Sequence, residues 1–361
     1  MRLKKNYSLF IVAFLFALSA FAQDTAPSPW PKSSNVNQPW ARWWWMGSAV
    51  DKSNLKRSLE DFHNAGIGGV EITPIYGVKG EENNFIDYLS PKWMEMLDYS
   101  VQVADSLHMQ VDMVLGTGWP YGGSHVTLPY AATKLIVEKY QLTKNETFDK
   151  AIEIDKAKEK IPADLLYVMA YSSDGKCVNL TQELKGNVLQ WKAKKTDYTI
   201  YAVFSGKTGQ QVKRAAPGGK GYTLDHYSEE ALNAYVVPFN EAFKGREGKV
   251  RAIFNDSYEV YGTDFTPRFF EEFKTRRGYD LKEKLPLLLS ETDNAIGNRI
   301  KSDYRQTISD LLLNKFDKPW TTWANSKNFK TKLQAHGSPG NLIDLYASAD
   351  IPECETFGSM P

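Results

Sequence analysis

The chain has 361 residues, with 44 Lys and Arg set against 43 Asp and Glu for a formal net charge of +1. That balance argues against a nucleic-acid partner, whose phosphates call for a basic face. Aromatic residues make up 13% of an otherwise ordinary globular composition, ten of them Trp; this content suits sugar binding, where apolar C–H faces stack on rings, and equally suits a large core.

The first segment, "MRLKKNYSLFIVAFLFALSAFAQD", has a basic start, an apolar run from Ser8 to Phe21 and small residues at Ala20 and Ala22. It reads as a secretory signal peptide over 1–22, cut after Ala22. The run is too short for a membrane span, and no later stretch approaches the ~20 apolar residues a span needs. Export to the periplasm or the extracellular space is therefore expected. Cleavage removes Arg2, Lys4 and Lys5 and no acid, which leaves a slightly acidic mature chain. Cys177 and Cys354 could pair in an oxidising compartment, but no CxxC or His/Cys metal spacing surrounds them, and unpaired small hydrophobes are the favoured reading. A Pro/Ser/Asn linker over 23–39 follows the leader.

"ARWWWMG" then reads as a strand ending at Gly47, and "SNLKRSLEDFHNAG" as a helix with Leu55, Leu59 and Phe62 on one face and Gly66 as its stop. Next come a strand in "GGVEITPI", a helix in "SPKWMEMLDYSVQVADSLHM" with Ser90 as N-cap and Pro91 in its first turn, and a strand in "QVDMVLGTGWP". This β-α-β-α-β order predicts a parallel sheet. The rhythm breaks over 133–222, where short β-rich runs between turn residues predict an inserted antiparallel β domain. It resumes with "KVRAIFNDSYE" (strand), "TPRFFEEFKTRRG" (helix, capped by Thr266 and stopped by Gly278), a long helical stretch over 295–326 and "KTKLQAHGSPG" (strand). No GxGxxG follows the first strand, so the expected fold is α/β, a partial (β/α)8 TIM-type barrel of about five to six βα units. Its first part spans 40–132, the insertion 133–222 and the continuation 223–361. Five strands leave both sheet edges open, so the barrel reads as truncated at the C-terminus.

In such a barrel the active site lies at the C-terminal ends of the strands. Those ends offer Trp44 and Trp45, Glu71, Trp119, Asp256 and Glu259, and His336 as substrate contacts. Asp256 and Glu259 are either solvated turn acids or contacts to sugar or metal. His336 is either a satisfied core residue or, among Gly, Ser and Pro, a loop group reaching a sugar hydroxyl. Glu71 sits mid-strand, where an unpaired acid is costly, so it needs a partner or a ligand. In "DIPECETFG", Glu353 and Glu355 are two apart and share a face of an extended segment. Like charges so placed raise each other's pKa, as suits a general acid, or share a cation such as calcium.

Together "RWWWMG", "GIGGVEITPIYG", "LGTGWPYGG", "FNDSYEVYGTDFTPRFFEEFKTRRGYDL" and "QAHGSPGNLIDLYASADIPECETFG" resemble glycoside hydrolase family 106, the exported α-L-rhamnosidases. The resemblance runs from about Gln38 to Pro361 and is weakest in the insertion. It implies a (β/α)8 barrel followed by further β domains, inverting hydrolysis of terminal α-L-rhamnose, and a calcium ion that orients sugar hydroxyls. By the same resemblance Glu355 looks like the general acid and Glu353 like a calcium or sugar contact, and the general base lies on a later strand. The chain is therefore expected to be an inactive piece of a longer hydrolase. Where the family usually has Thr between these glutamates, this sequence has Cys354. A non-catalytic sugar-binding protein on a degenerate barrel, and a barrel glycosidase for another sugar, remain open alternatives.

Overall fold

The computed structural model describes residues 34–355, except 36 and 158. The leader at 1–22, residues 23–33 of the linker and residues 356–361 lie outside the described residues. Six strands, β1 (Trp40–Met46), β2 (Gly69–Ile75), β3 (Gln110–Val114), β4 (Ala252–Asn255), β5 (Lys330–Leu333) and β6 (Ile351–Pro352), form one sheet in that order. Every pairing in it is parallel. The expected strands are present, and the molecule is a mixed α/β fold. Among the described residues β1 and β6 are the two edges of the sheet.

Parallel neighbours need crossovers, and helices supply most of them. In chain order these are α1 (Lys52–Asn64), α2 (Pro91–Ser106), α3 (Glu229–Tyr235), α4 (Val237–Ala242), α5 (Phe269–Arg277), α6 (Ala295–Leu311), α7 (Lys318–Ser326) and α8 (Leu342–Ser348). The side-chain oxygen of Asp51 accepts the Asn54 N–H at 3.0 Å to start α1, and Ser90 accepts the Trp93 N–H at 3.2 Å to start α2. Gly278, at φ 80°, ends α5 in the left-handed conformation that lacks a Cβ penalty. Thr266 does not cap α5. That helix begins three residues later, and the Thr266 hydroxyl donates instead to buried Asp225 at 2.9 Å. The long helix expected over 295–326 is interrupted by a π-helical turn at Leu312–Asp317. Pro319, in the first turn of α7, has no N–H to continue the α-helical ladder, and the wider turn absorbs that gap.

Strand alternation decides which residues face the helices. Trp43 meets Phe62 of α1 edge-on at 5.8 Å and Trp45 meets Trp93 of α2 at 5.5 Å, while Arg42, Trp44 and Met46 point to the other side of the sheet. Val70, Ile72, Val111, Met113 and Ile253 continue the buried apolar face.

Between β3 and β4 lie a two-stranded antiparallel pair, Gly122–Gly123 with Tyr222–Thr223, and two larger antiparallel sheets. One pairs Thr133–Leu142, Tyr198–Lys207, Asp164–Ser172 and Cys177–Asn179; the other pairs Thr147–Ala151, Val188–Lys192 and Leu184–Lys185. Leu142, Phe148, Val168, Leu189, Ile200 and Phe204 form a separate small core here, while Met169, Tyr171, Tyr201 and Val203 on alternate positions join the main core. Cys177 is half-buried, Cys354 is exposed, and both are free thiols. No described helix is long and apolar enough to cross a membrane.

Candidate active site

On the face of the sheet turned away from α1 and α2, charged side chains from five strands or their ends converge. Arg42 of β1 is the hub: its Nε lies 3.0 Å from Glu71 of β2, one Nη 3.2 Å from Asp256 after β4, and the other 3.5 Å from Glu353 after β6. Lys332 of β5 reaches Glu71 at 2.8 Å and also contacts Glu353. Gln334 donates to Glu353 at 2.8 Å. The ring of Phe254 in β4 lies beneath both cations, 4.7 Å from the Arg42 guanidinium carbon and 5.2 Å from the Lys332 nitrogen. Burial pushes the Glu71 carboxyl upward, against the pull of Lys332 and Arg42. Asp256 is also raised, first by burial and further by the charges of Glu355 and Glu353, with Arg42 opposing. Burial pulls Lys332 down, but Glu71 and Glu353 outweigh it and raise it overall. Glu71 thus has the partners that its mid-strand position requires.

Glu355 stands at the exposed edge of this cluster, its carboxylate 3.3 Å from Nε2 of His336. The two residues follow adjacent strands, β6 and β5, so the sheet itself sets their spacing. An exposed carboxyl beside an imidazole at the open end of the sheet is placed to exchange a proton with a bound group. Trp44 is 43% exposed on the same face, with Arg42 over its ring at 5.6 Å.

Trp45 does not belong to this surface. It is 1% exposed, packed edge-on against Trp43 and at a tilt against Trp93 in the core, because it lies on the opposite parity of β1 from Trp44. Glu259 and Trp119 form a second group at the same end of the sheet. Glu259 pairs with Lys213, and the Tyr261 hydroxyl donates to it at 3.2 Å. Burial raises the Glu259 carboxyl, but hydrogen bonds from Lys213, Tyr261 and the Trp119 indole outweigh it and leave the pKa lowered.

Glu353 is the residue that the resemblance assigns to a calcium or sugar contact. Its oxygens are engaged by Arg42, Lys332 and Gln334, and the neighbouring carboxylates of Glu71 and Asp256 are bound by the same two cations. Among the described residues no three His, Cys, Asp or Glu side chains converge to hold a metal ion. The cluster as arranged does not fit calcium, since fixed cations already occupy the position that a metal's charge would take. Arg42, Lys332 and Gln334 escaped the sequence reading. The signal was present in strand parity: Arg42 shares a face with Trp44, and Lys332 alternates with buried Thr331 and Leu333.

Residues 31–159 and 168–358 match the family described as alpha-L-rhamnosidase, glycoside hydrolase family 106. The chain belongs to that family. A solved rhamnosidase from Novosphingobium sp. PP1Y shares its fold, with a TM-score of 0.74 at 17% identity over 89% of this chain and 48% of that one. A Formosa agariphila protein with the provisional name beta-glucuronidase is 27% identical over 95% of this chain and 34% of its own length. The chain thus spans about a third of that relative and about half of the solved rhamnosidase.

Proposed function

We propose that this chain carries the sugar-binding face and the general acid of an exported α-L-rhamnosidase that acts on terminal rhamnose with inversion. Its parallel sheet is read as part of a (β/α)8 barrel. The observation that carries this reading is the placement of Glu355 beside His336 at the strand ends, in a chain of the rhamnosidase family. Glu355 protonates the leaving glycosidic oxygen, and His336 positions its carboxyl. Trp44 offers a ring face to the sugar beside the Arg42 cluster, whose cations hold Glu71, Asp256 and Glu353 in fixed orientations. An inverting enzyme needs a second carboxylate ~6.5–9.5 Å from the acid to activate water; no residue of this chain is assigned that role.

The test is release of rhamnose from an unactivated alkyl α-L-rhamnoside, whose alkoxide must be protonated as it leaves, by the native secreted product that contains this chain. Glu355→Gln should lower kcat by at least ~100-fold with KM little changed, because general acid catalysis supplies ~10²–10⁴-fold. Unchanged turnover in that variant would remove Glu355 from the role. The provisional name of the Formosa relative favours a second reading, a glycosidase for another sugar. The same assay with β-glucuronide and β-galactoside in parallel separates the two by which sugar is released.

A further inference from the structure

Beyond the carboxylate cluster, the segment returning from the insertion lays a second cation on the same end of the sheet. Tyr76 directly follows β2, and its N–H donates to the Arg214 carbonyl at 3.0 Å. Lys213 and Trp119 exchange backbone hydrogen bonds at 2.8 and 3.2 Å, which fixes this segment against the loop after β3. The contact is close: a Cβ on Gly118 would stand 1.9 Å from the Lys213 carbonyl oxygen. Arg214 itself is held at φ 55°, a left-handed conformation uncommon for a residue with a side chain, and such strain persists where its surroundings impose it.

The side chain is as constrained as the backbone. One Nη donates to the Tyr76 hydroxyl at 3.0 Å, and the guanidinium carbon stands 5.6 Å from the Tyr76 ring and 5.5 Å from the Trp119 ring. Lys213 is neutralised by Glu259, whereas among the described residues no carboxylate lies within ion-pair distance of Arg214. An exposed guanidinium is thus oriented by aromatic groups and, among the described residues, left without a counter-ion, with the exposed ring of Tyr76 beside it.

We propose that Arg214 is the anion-recognising end of a sugar subsite that takes the carboxylate of a uronic acid residue in the bound glycan. The planar fork matches a planar carboxylate bidentately, while a doubly charged phosphate would call for a second free cation that this subsite lacks. The proposal rests on the glycan-acting reading above and narrows its substrate class to acidic glycans.

Ligand-observed NMR titrations of the full chain test it, with methyl β-D-glucuronide, methyl β-D-glucoside as the neutral isostere, and methyl α-L-rhamnoside. The glucuronide should bind more tightly than the glucoside. Arg214→Gln should cost about tenfold in glucuronide affinity and leave the two neutral sugars unchanged, since a charge-assisted bond is lost. Arg214→Lys should recover only part, because a point charge lacks the fork, and Tyr76→Phe should weaken the glucuronide alone. Equal affinity for glucuronide and glucoside alongside rhamnoside binding would overturn the subsite and leave the rhamnosidase reading intact. A chain that binds none of the three sugars would overturn both. Displacement of the glucuronide by equimolar sodium sulfate would also overturn the assignment, by showing a general anion site.

Discussion

Arg42 touches Glu71, Asp256 and Glu353 at once, and two of those carboxylates are buried. Removing it leaves Glu71 with Lys332 alone and Asp256 with no cation within ion-pair distance among the described residues. An uncompensated buried charge is costly, so Arg42→Met should destabilise by about 3 kcal/mol in urea unfolding, the low end of what breaking a buried pair costs because Arg42 is partly exposed. A loss under about 1 kcal/mol would mean that solvent screens the cluster as it does surface pairs. The hub was not legible as a hub. "RWWWM" shows that Arg42 shares a face with Trp44, but its three partners come from β2, β4 and β6, up to 311 positions away, and no local pattern reports them.

At the scale of elements, local chemistry was the better guide. Ser90 and Pro91 mark the start of α2 in the sequence, and Ser90 caps it in the structure. Ser90→Ala should cost about 1 kcal/mol of stability, measured by thermal or urea unfolding, because the Trp93 N–H loses its acceptor. Thr266 carries the same kind of signal before α5 and misleads, since buried Asp225 competes for its hydroxyl. Capping is read from neighbours a few residues away, and a tertiary partner 41 positions distant can override it. The misplacement of Trp45 has another origin. Period-two alternation assigns Trp44 and Trp45 to opposite faces, so three consecutive Trp cannot all reach one site.

For the whole molecule, Asp225 and His226 give opposing pH responses where the segment after the insertion enters the core. Burial raises Asp225 to about 6 and lowers His226 to about 4. Folding therefore favours a protonated Asp225, a contribution lost as pH rises from about 4 to 6. It disfavours a protonated His226, a penalty lifted as pH rises from about 4 to 6.5. Relative to the unmodified chain, Asp225→Asn should become more stable, and His226→Asn less stable, as pH rises from 4 to 6.5. Urea midpoints at pH 4, 5, 6 and 7 would show the two trends, and parallel slopes would contradict the opposition. The sequence alone determined the order of strands and helices and the parallel sense of the sheet, because periodicity and caps are local. Five short motifs in order also gave the family, which the match over residues 31–159 and 168–358 bears out. Only the tertiary structure decided which charges meet. Glu71, Asp256, Glu353, Arg42 and Lys332 are brought together by the strands of one sheet, from positions far apart in the chain. Arg214 came to the same end of the sheet through the return path of the insertion, whose course no local signal encodes.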